Sequence, residues 1–425
     1  MEKILHAVKK IIPVSIFEFF QPIYHYKMAF LGALLYRFPS RFIKVVAVTG
    51  TKGKTSTVEF INSILESAGY KTALAGTLRF KIGEKVTPNM YKMTMPGRFF
   101  VQKFLREAVD ARCDFAIIEM TSEGARQFRH KFIDLDALIF LNIAPEHIES
   151  HGSYEKYLQA KLQLAMALEH SKKHKKVIVS NIDDKEGKKF LAVKGVEQRA
   201  FSLSDAEPFK TSGTGIEMMF ERARIFSNLP GTFTIYNILA AATFASSRGI
   251  SPEIIKRGVE KVTEIKGRVQ DIKISGTKMP QNFRVIVDYA HTPDSLKALY
   301  EAFGETRKIC VLGNTGGGRD TWKRAEMAKI AENYCDEIIL TDEDPYDDDP
   351  RSIVTEMSKA IVKKVAKIIM DRRKAIHEAI KKAHQDDVIL ITGKGTDPYI
   401  MRANGVREPW SDADVVREEL LKILK

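Results

Sequence analysis

Eight short apolar runs punctuate the chain, each giving way to polar or glycine-rich residues and then to a helical pattern. The first four are KVVAVTG from Lys44, DFAIIEM from Asp114, DALIFLNI from Asp136 and KKVIVSN from Lys175. The second four are RVIVDYA from Arg284, KICVLGN from Lys308, DEIILTD from Asp336 and DVILITG from Asp387. Near-continuous β-branched strands alternating with helices predict parallel sheets covered on both faces. About 100 residues separate the two sets, so two α/β domains are expected, with a boundary near residue 265. Ligands of such sheets sit beyond the carboxyl ends of the strands. The polar clusters there are Thr49–Thr57, Glu119–Ser122, Asn142–His151, Asp288–His291, Gly313–Arg319, Asp342–Asp344 and Gly393–Asp397.

The first cluster reads VVAVTGTKGKTST from Val45 to Thr57. Glycines at a strand-to-helix turn let backbone N–H groups approach a phosphate, and the helix dipole adds to the attraction. Gly50, Thr51, Lys52, Gly53, Lys54, Thr55 and Ser56 would form this cradle, with Lys54 as the point charge and Thr55 offering a hydroxyl to Mg2+. Val48 stands where the full P-loop pattern has glycine, so the stretch alone also fits a helix-capping turn. Glu119, ending its strand, is placed to hold the metal, and His147 in a post-strand loop can ligate one as neutral imidazole. Lys161, on a helical pattern, reads by spacing alone as an ordinary helix lysine.

Composition narrows the partners. With 67 Lys+Arg against 54 Asp+Glu, the net charge is +13, a surplus suited to nucleic acid, a membrane surface or anionic small substrates. No basic tract interleaves with aromatics as a single-strand groove would require, so no nucleic acid partner is expected. Three scattered cysteines show no metal spacing and no disulfide framework, which points to the cytoplasm.

The segments VTGTKGKTST, IIEMTSEGARQFR, FLNIAPEHIESHGSYEKYLQAK, SNIDD, GRVQ, VDYAHTPDSL, TDEDP and GKGTD occur together and in this order. From about residue 44 onward the chain thereby resembles the Mur ligase family, most closely its UDP-N-acetylmuramoyl-dipeptide:amino-acid ligases. The resemblance implies a P-loop central ATPase domain with a mostly parallel sheet (44–264), then a Rossmann-like C-terminal α/β domain (265–425). It implies ATP-dependent amide formation through an acyl phosphate in peptidoglycan precursor synthesis, by a monomer acting on a nucleotide-sugar peptide and an amino acid.

Residue by residue, the resemblance casts Lys54 as the γ-phosphate lysine, Thr55 and Glu119 as ligands of one Mg2+, and His147 as a ligand of a second. Lys161 falls where the family carries a carbamylated lysine. Asn237 matches the adenine-side asparagine, Arg268 an arginine reaching the nucleotide, and Asp288 and His291 the ribose-side linker strand. Thr94 matches the peptide-binding loop, with Met95 replacing its second threonine, and Ser122, Gln127 and Arg129 match the peptide-contacting stretch, with Glu123 replacing a histidine. Arg319 would hold the carboxylate of the incoming amino acid. Tyr346 replaces the arginine of diaminopimelate-adding members, and Asp344, Lys394 and Asp397 complete that pocket, so a cationic amino acid such as lysine is expected.

The 43 residues before the cradle strand are too few for the family's separate UDP-binding domain. They form an apolar, helical leader whose longest clean stretch, MAFLGALLY from Met28, is shorter than the ~20 residues a membrane span needs. Two readings fit it: a helix packed on the first domain, or an amphipathic segment on a membrane. A folylpolyglutamate synthetase-like enzyme, a ligase for another peptide or polymer, and a non-catalytic nucleotide-binding subunit are the alternatives to the main reading.

Overall fold

The computed structural model describes residues 14–91, 93–146, 151–274, 283–318 and 321–423, with side chains from Phe20 onward in the first helix. His147, Arg319 and the first 13 residues of the leader lie outside the described residues. All eight apolar runs form strands: β1 (Lys44–Thr49), β5 (Phe115–Glu119), β6 (Ala137–Phe140), β7 (Val177–Asn181), β13 (Arg284–Val287), β14 (Lys308–Leu312), β15 (Glu337–Leu340) and β17 (Val388–Ile391).

The chain divides into two compact units. One comprises Met1–Ala144, Ser153–Ser202 and Ala240–Ser251; the other comprises Pro145–Gly152, Leu203–Leu239 and Pro252–Lys425. The first unit is built on an eight-stranded sheet in the order β4-β3-β2-β5-β1-β6-β7-β8, where β2 is Thr72–Ala75, β3 Arg79–Ile82, β4 Lys85–Pro88 and β8 Glu197–Phe201. From β2 to β8 every pairing is parallel, while β3 and β4 add an antiparallel edge. Val45, Val46, Ala47 and Val48 of β1 are fully buried, as expected for a central strand covered on both faces. Burial of each valine contributes about 1.5–3 kcal/mol. After β1 the chain forms β2, β3 and β4 outward on one side, returns to insert β5 beside β1, then crosses to β6 on the other side. The carboxyl end of β1 is therefore the switch point where such sheets bind ligands.

The second unit holds a six-stranded sheet, β12-β13-β17-β14-β15-β16, in which only β12 (Gln270–Asp271) runs antiparallel and β16 is Ala366–Ile368. It also carries an antiparallel sheet of β9 (Lys210–Ser212), β10 (Gly215–Phe220) and β11 (Ala223–Ser227). The fold is thus the expected α/β pair of mostly parallel sheets. The cysteines depart from expectation: Cys310 in β14 and Cys335 just before β15 are joined, with Cα atoms 6.0 Å apart, and only Cys113 is a free thiol. The β14–helix–β15 crossover brings together residues that are 25 apart in sequence, which spacing alone did not disclose.

His130 is buried in the first unit, and neither ring nitrogen has a hydrogen-bond partner. Burial lowers its pKa from 6.5 to about 3, so it is neutral in the fold. Below pH 6.5 the unfolded chain takes up a proton that the native chain does not accept until about pH 3. The contribution is whole above pH 6.5 and falls at about 1.4 kcal/mol per pH unit as pH drops through that window. His130→Leu should therefore lose less stability than the parent between pH 6.5 and pH 4 in urea titrations. Identical slopes for the two proteins would contradict this.

Candidate active site

In the first unit, β1 ends on the turn Gly50–Gly53, and the helix Lys54–Ser67 starts at once. Gly53 occupies the helix N-cap at φ 84° without a side-chain cap, a left-handed conformation natural to glycine. A helix N-terminus that follows a strand directly is a place where an anion is favoured. The turn is clamped to the loop after β6. Lys52 N donates to Asn142 Oδ1 (2.9 Å), Asn142 Nδ2 donates back to Lys52 O (3.2 Å), and Ala144 N donates to Thr51 Oγ1 (3.0 Å).

Two lysines meet at this turn. Lys54 Nζ donates to Gly50 O (2.8 Å) and Thr51 O (3.0 Å). Lys161 Nζ, 1% exposed on the helix Tyr154–Glu169, donates to the same Gly50 oxygen at 2.9 Å. It also lies 4.8 Å from the Tyr157 ring centre, and the Tyr157 hydroxyl is 2.9 Å from Thr51 Oγ1. Two ammonium groups on one carbonyl repel each other, and anionic oxygens at this place relieve the repulsion.

Glu119, fully buried at the end of β5, faces the cradle. Its Oε2 accepts from Thr55 Oγ1 (3.2 Å) and Thr77 Oγ1 (2.9 Å), and its Oε1 accepts from Thr77 N (2.7 Å). Gly76 lies so close that a Cβ there would come within 2.5 Å of Oε1. A carboxylate and a hydroxyl side by side are the hard oxygen donors Mg2+ takes, with substrate phosphates and water completing its shell; the residues present fit that ion. No cluster of three or more His, Cys, Asp or Glu residues occurs among the described residues.

The peptide-loop candidates adjoin this carboxylate. Thr94 Oγ1 is 3.0 Å from Thr77 Oγ1. Ser122 is buried in the first turn of the short helix Ser122–Arg126, capped by Thr121. Arg129 donates to Met95 O and, at 2.8 Å, to Gln127 Oε1, while Gln127 Nε2 donates to Glu123 Oε1 at 2.6 Å. Glu123 thus orients Gln127. Burial depresses the pKa of both Arg129 and Arg98, and Arg129 itself depresses Arg98 further.

The remaining candidates lie in the second unit. Asn237 is buried on the helix Thr232–Ser247. The Arg268 guanidinium stacks 4.5 Å from the Tyr289 ring centre. Asp288 accepts from Val269 N (2.7 Å) and Ala290 N (2.6 Å), and so holds its own loop in shape. His291 sets one ring nitrogen 2.7 Å from Tyr289 O and the other 3.1 Å from Glu146 Oε1. Lys394, wholly buried, donates to Asp344 Oδ1 (2.8 Å), Asp397 Oδ2 (3.4 Å) and Tyr399 O (2.7 Å). Asp397, followed by burial, pushes the Tyr289 phenol well above its usual pKa. Burial likewise raises the Glu343 carboxyl, which accepts from Thr315 Oγ1 at 2.9 Å.

Of the residues singled out in the sequence, Lys54, Thr55, Glu119 and Lys161 lie around one turn. Sequence reasoning did not single out Thr77, Gly76 or Tyr157. Tyr157 carried a signal, four residues before Lys161 on one helix face; Thr77 carried none.

Residues 48–245 match the Mur ligase middle domain, and residues 267–395 match the Mur ligase, glutamate ligase domain. A UDP-N-acetylmuramoyl-L-alanyl-D-glutamate–2,6-diaminopimelate ligase of Syntrophomonas wolfei is 34% identical over 92% of this chain and 81% of its own length. The chain belongs to the Mur ligase family. A second such ligase, from Aquifex aeolicus, is 34% identical over 90% of this Mur ligase and 78% of its own length. A solved diaminopimelate ligase superposes with a TM-score of 0.62 at 26% identity, over 90% of this chain and 79% of that one. Folylpolyglutamate synthase of Mycobacterium tuberculosis shares the fold alone, with a TM-score of 0.68 at 14% identity over 92% and 93% of the two chains.

Proposed function

We propose that this Mur ligase is a tripeptide synthetase, which joins an amino acid to the free carboxyl of UDP-N-acetylmuramoyl-L-alanyl-D-glutamate or of the same dipeptide on another carrier. The convergence of Lys54, Lys161, Thr55 and Glu119 on the turn after β1 carries this reading. Residues 44–264 would serve the nucleotide and residues 265–425 the amino acid, in a cytoplasmic monomer whose N-terminal helix contacts lipid.

Lys54 and the N-terminal turn of the helix Lys54–Ser67 hold and orient the triphosphate of ATP. Thr55 and Glu119 would hold one Mg2+, and a carbamylated Lys161, with His147, a second; such ions offset charge on the transferring phosphoryl group. The peptide carboxylate forms a bond to the terminal phosphorus as the bond to the ADP oxygen breaks. The amine then attacks the acyl carbon, the carbon–oxygen bond to phosphate breaks, and the amine gives up a proton, leaving amide, ADP and phosphate. Carbamylation makes Lys161 an anionic oxygen donor, which removes the repulsion between two ammonium groups at Gly50.

The relatives act on 2,6-diaminopimelate. Tyr346 stands here in place of an arginine that would grip its distal carboxylate, and a phenol does not replace a bidentate guanidinium. Asp344, Asp397 and Lys394 together sum to one negative charge, which favours a cationic side chain. Phosphate release with UDP-N-acetylmuramoyl-L-alanyl-D-glutamate and a panel of amino acids, with products weighed by mass spectrometry, tests both points. Lysine should exceed diaminopimelate in kcat/KM by roughly tenfold or more. Turnover with diaminopimelate alone would refute the lysine assignment and keep the ligase. No acceptor-dependent turnover would refute the ligase reading.

A further inference from the structure

The helix Val14–Leu35 has its chemistry reversed for a surface helix. Its inward stripe is made of small residues: Ala29 and Ala33 are buried, and a Cβ on Gly32 would lie 3.7 Å from Arg98 O and Phe99 Cα of the helix Arg98–Asp110. Its outward stripe is bulky and apolar. Phe20, Ile23, Leu31, Leu34 and Leu35 are between 46% and 65% exposed, and Phe42 just beyond is 66% exposed. At 100° per residue these helix positions fall on one face. An ordinary solvated helix carries polar residues there, so this face is built for a partner.

The charge around it says which partner. From Phe19 to Val58 the sequence contains no Asp or Glu, and Lys27, Arg37 and Arg41 are exposed beside the apolar stripe, Arg41 with Asp134 3.8 Å from its guanidinium. Lys27 lies within that stripe, on a stem long enough to carry its ammonium to a phosphate layer while its methylenes stay apolar. A second copy docked symmetrically would set these cations against themselves, whereas an anionic bilayer complements them. No described helix is long and apolar enough to cross a membrane, and the small-residue face is already packed on protein. We propose that the helix Val14–Leu35 lies in the surface of an anionic lipid bilayer, its Phe20–Leu35 stripe among the acyl chains and Lys27, Arg37 and Arg41 at the phosphates. This inference stands apart from the choice of acceptor, since it rests on residues outside the cradle.

Sedimentation of the full chain with phosphatidylcholine vesicles, with and without phosphatidylglycerol, tests it. With Arg41 shared with Asp134, Lys27 and Arg37 near an anionic surface should make binding about thirtyfold tighter to the phosphatidylglycerol vesicles, and added salt should weaken it. Leu31→Glu/Leu34→Glu should reduce vesicle binding at least roughly tenfold, with the thermal midpoint and phosphate release from soluble substrates unchanged. If that variant does not fold, Lys27→Glu/Arg37→Glu decides, because it leaves every apolar contact in place. Failure of the parent chain to bind phosphatidylglycerol vesicles overturns the proposal, as does undiminished binding by the deciding variant. A dimer that Leu31→Glu/Leu34→Glu dissociates, without any vesicle binding, overturns it in favour of an interface between copies. None of these outcomes alters the ligase assay, so the two readings fail separately.

Discussion

Lys161→Ala is expected to lower acceptor-dependent phosphate release by about 10²–10³-fold, the usual loss when one preorganised polar group at a reacting centre is removed. The side chain is buried to 1% exposure and reaches the Gly50 carbonyl that Lys54 also uses. A lysine in that position supports the turn as an ammonium and supplies oxygens as a carbamate. The two roles separate experimentally. If the carbamate is the working form, depleting bicarbonate should slow the parent enzyme, replenishing it should restore the rate, and the alanine variant should ignore both. A short carboxylate added to the variant should recover part of the lost turnover. The thermal midpoint shows whether the turn itself has loosened. Near-parental turnover by Lys161→Ala would remove this residue from the chemistry altogether.

Glu119→Gln should reduce turnover by a similar factor, about 10²–10³, and raise the Mg2+ concentration needed for half-maximal rate. The carboxylate accepts hydrogen bonds from the Thr77 amide and hydroxyl and from the Thr55 hydroxyl. A glutamine must point an NH2 group at one set of these donors, and it lacks the charge a hard cation requires. Gly76→Ala approaches the same group from the backbone side, because its methyl would fall within 2.5 Å of Oε1 and displace the carboxylate without deleting it. A titration of rate against Mg2+ distinguishes the two variants: the glutamine shifts both midpoint and plateau, the alanine mainly the midpoint. An unshifted midpoint in Glu119→Gln would mean that the metal is held elsewhere.

The strands were legible because a parallel strand covered on both faces is apolar at almost every position, as in Val45–Val48 and Ile389–Ile391. The edge hairpin of β3 and β4 and the small sheet of β9 to β11 were not, because they are short and partly exposed, so their residues alternate or turn polar. The cradle could be read from local sequence since Gly50 to Ser56 is contiguous. What holds Glu119 could not, since Thr77 lies 42 residues away and reaches it only through the β2–β5 pairing. The leader posed a choice between packing on the domain and lying on lipid. The helix has one face suited to each, and a linear hydropathy profile averages the two.

Thr94, Thr77, Glu119 and Thr55 form an unbroken line of hydroxyl and carboxylate contacts from the expected peptide loop to the phosphate turn. A ligand that draws the Thr94 hydroxyl toward itself changes what Thr77 can give the carboxylate, and so what the carboxylate can give at the far end. By thermodynamic linkage any such influence is mutual: occupancy of one end of the line biases affinity at the other, with no movement of the strands that carry it.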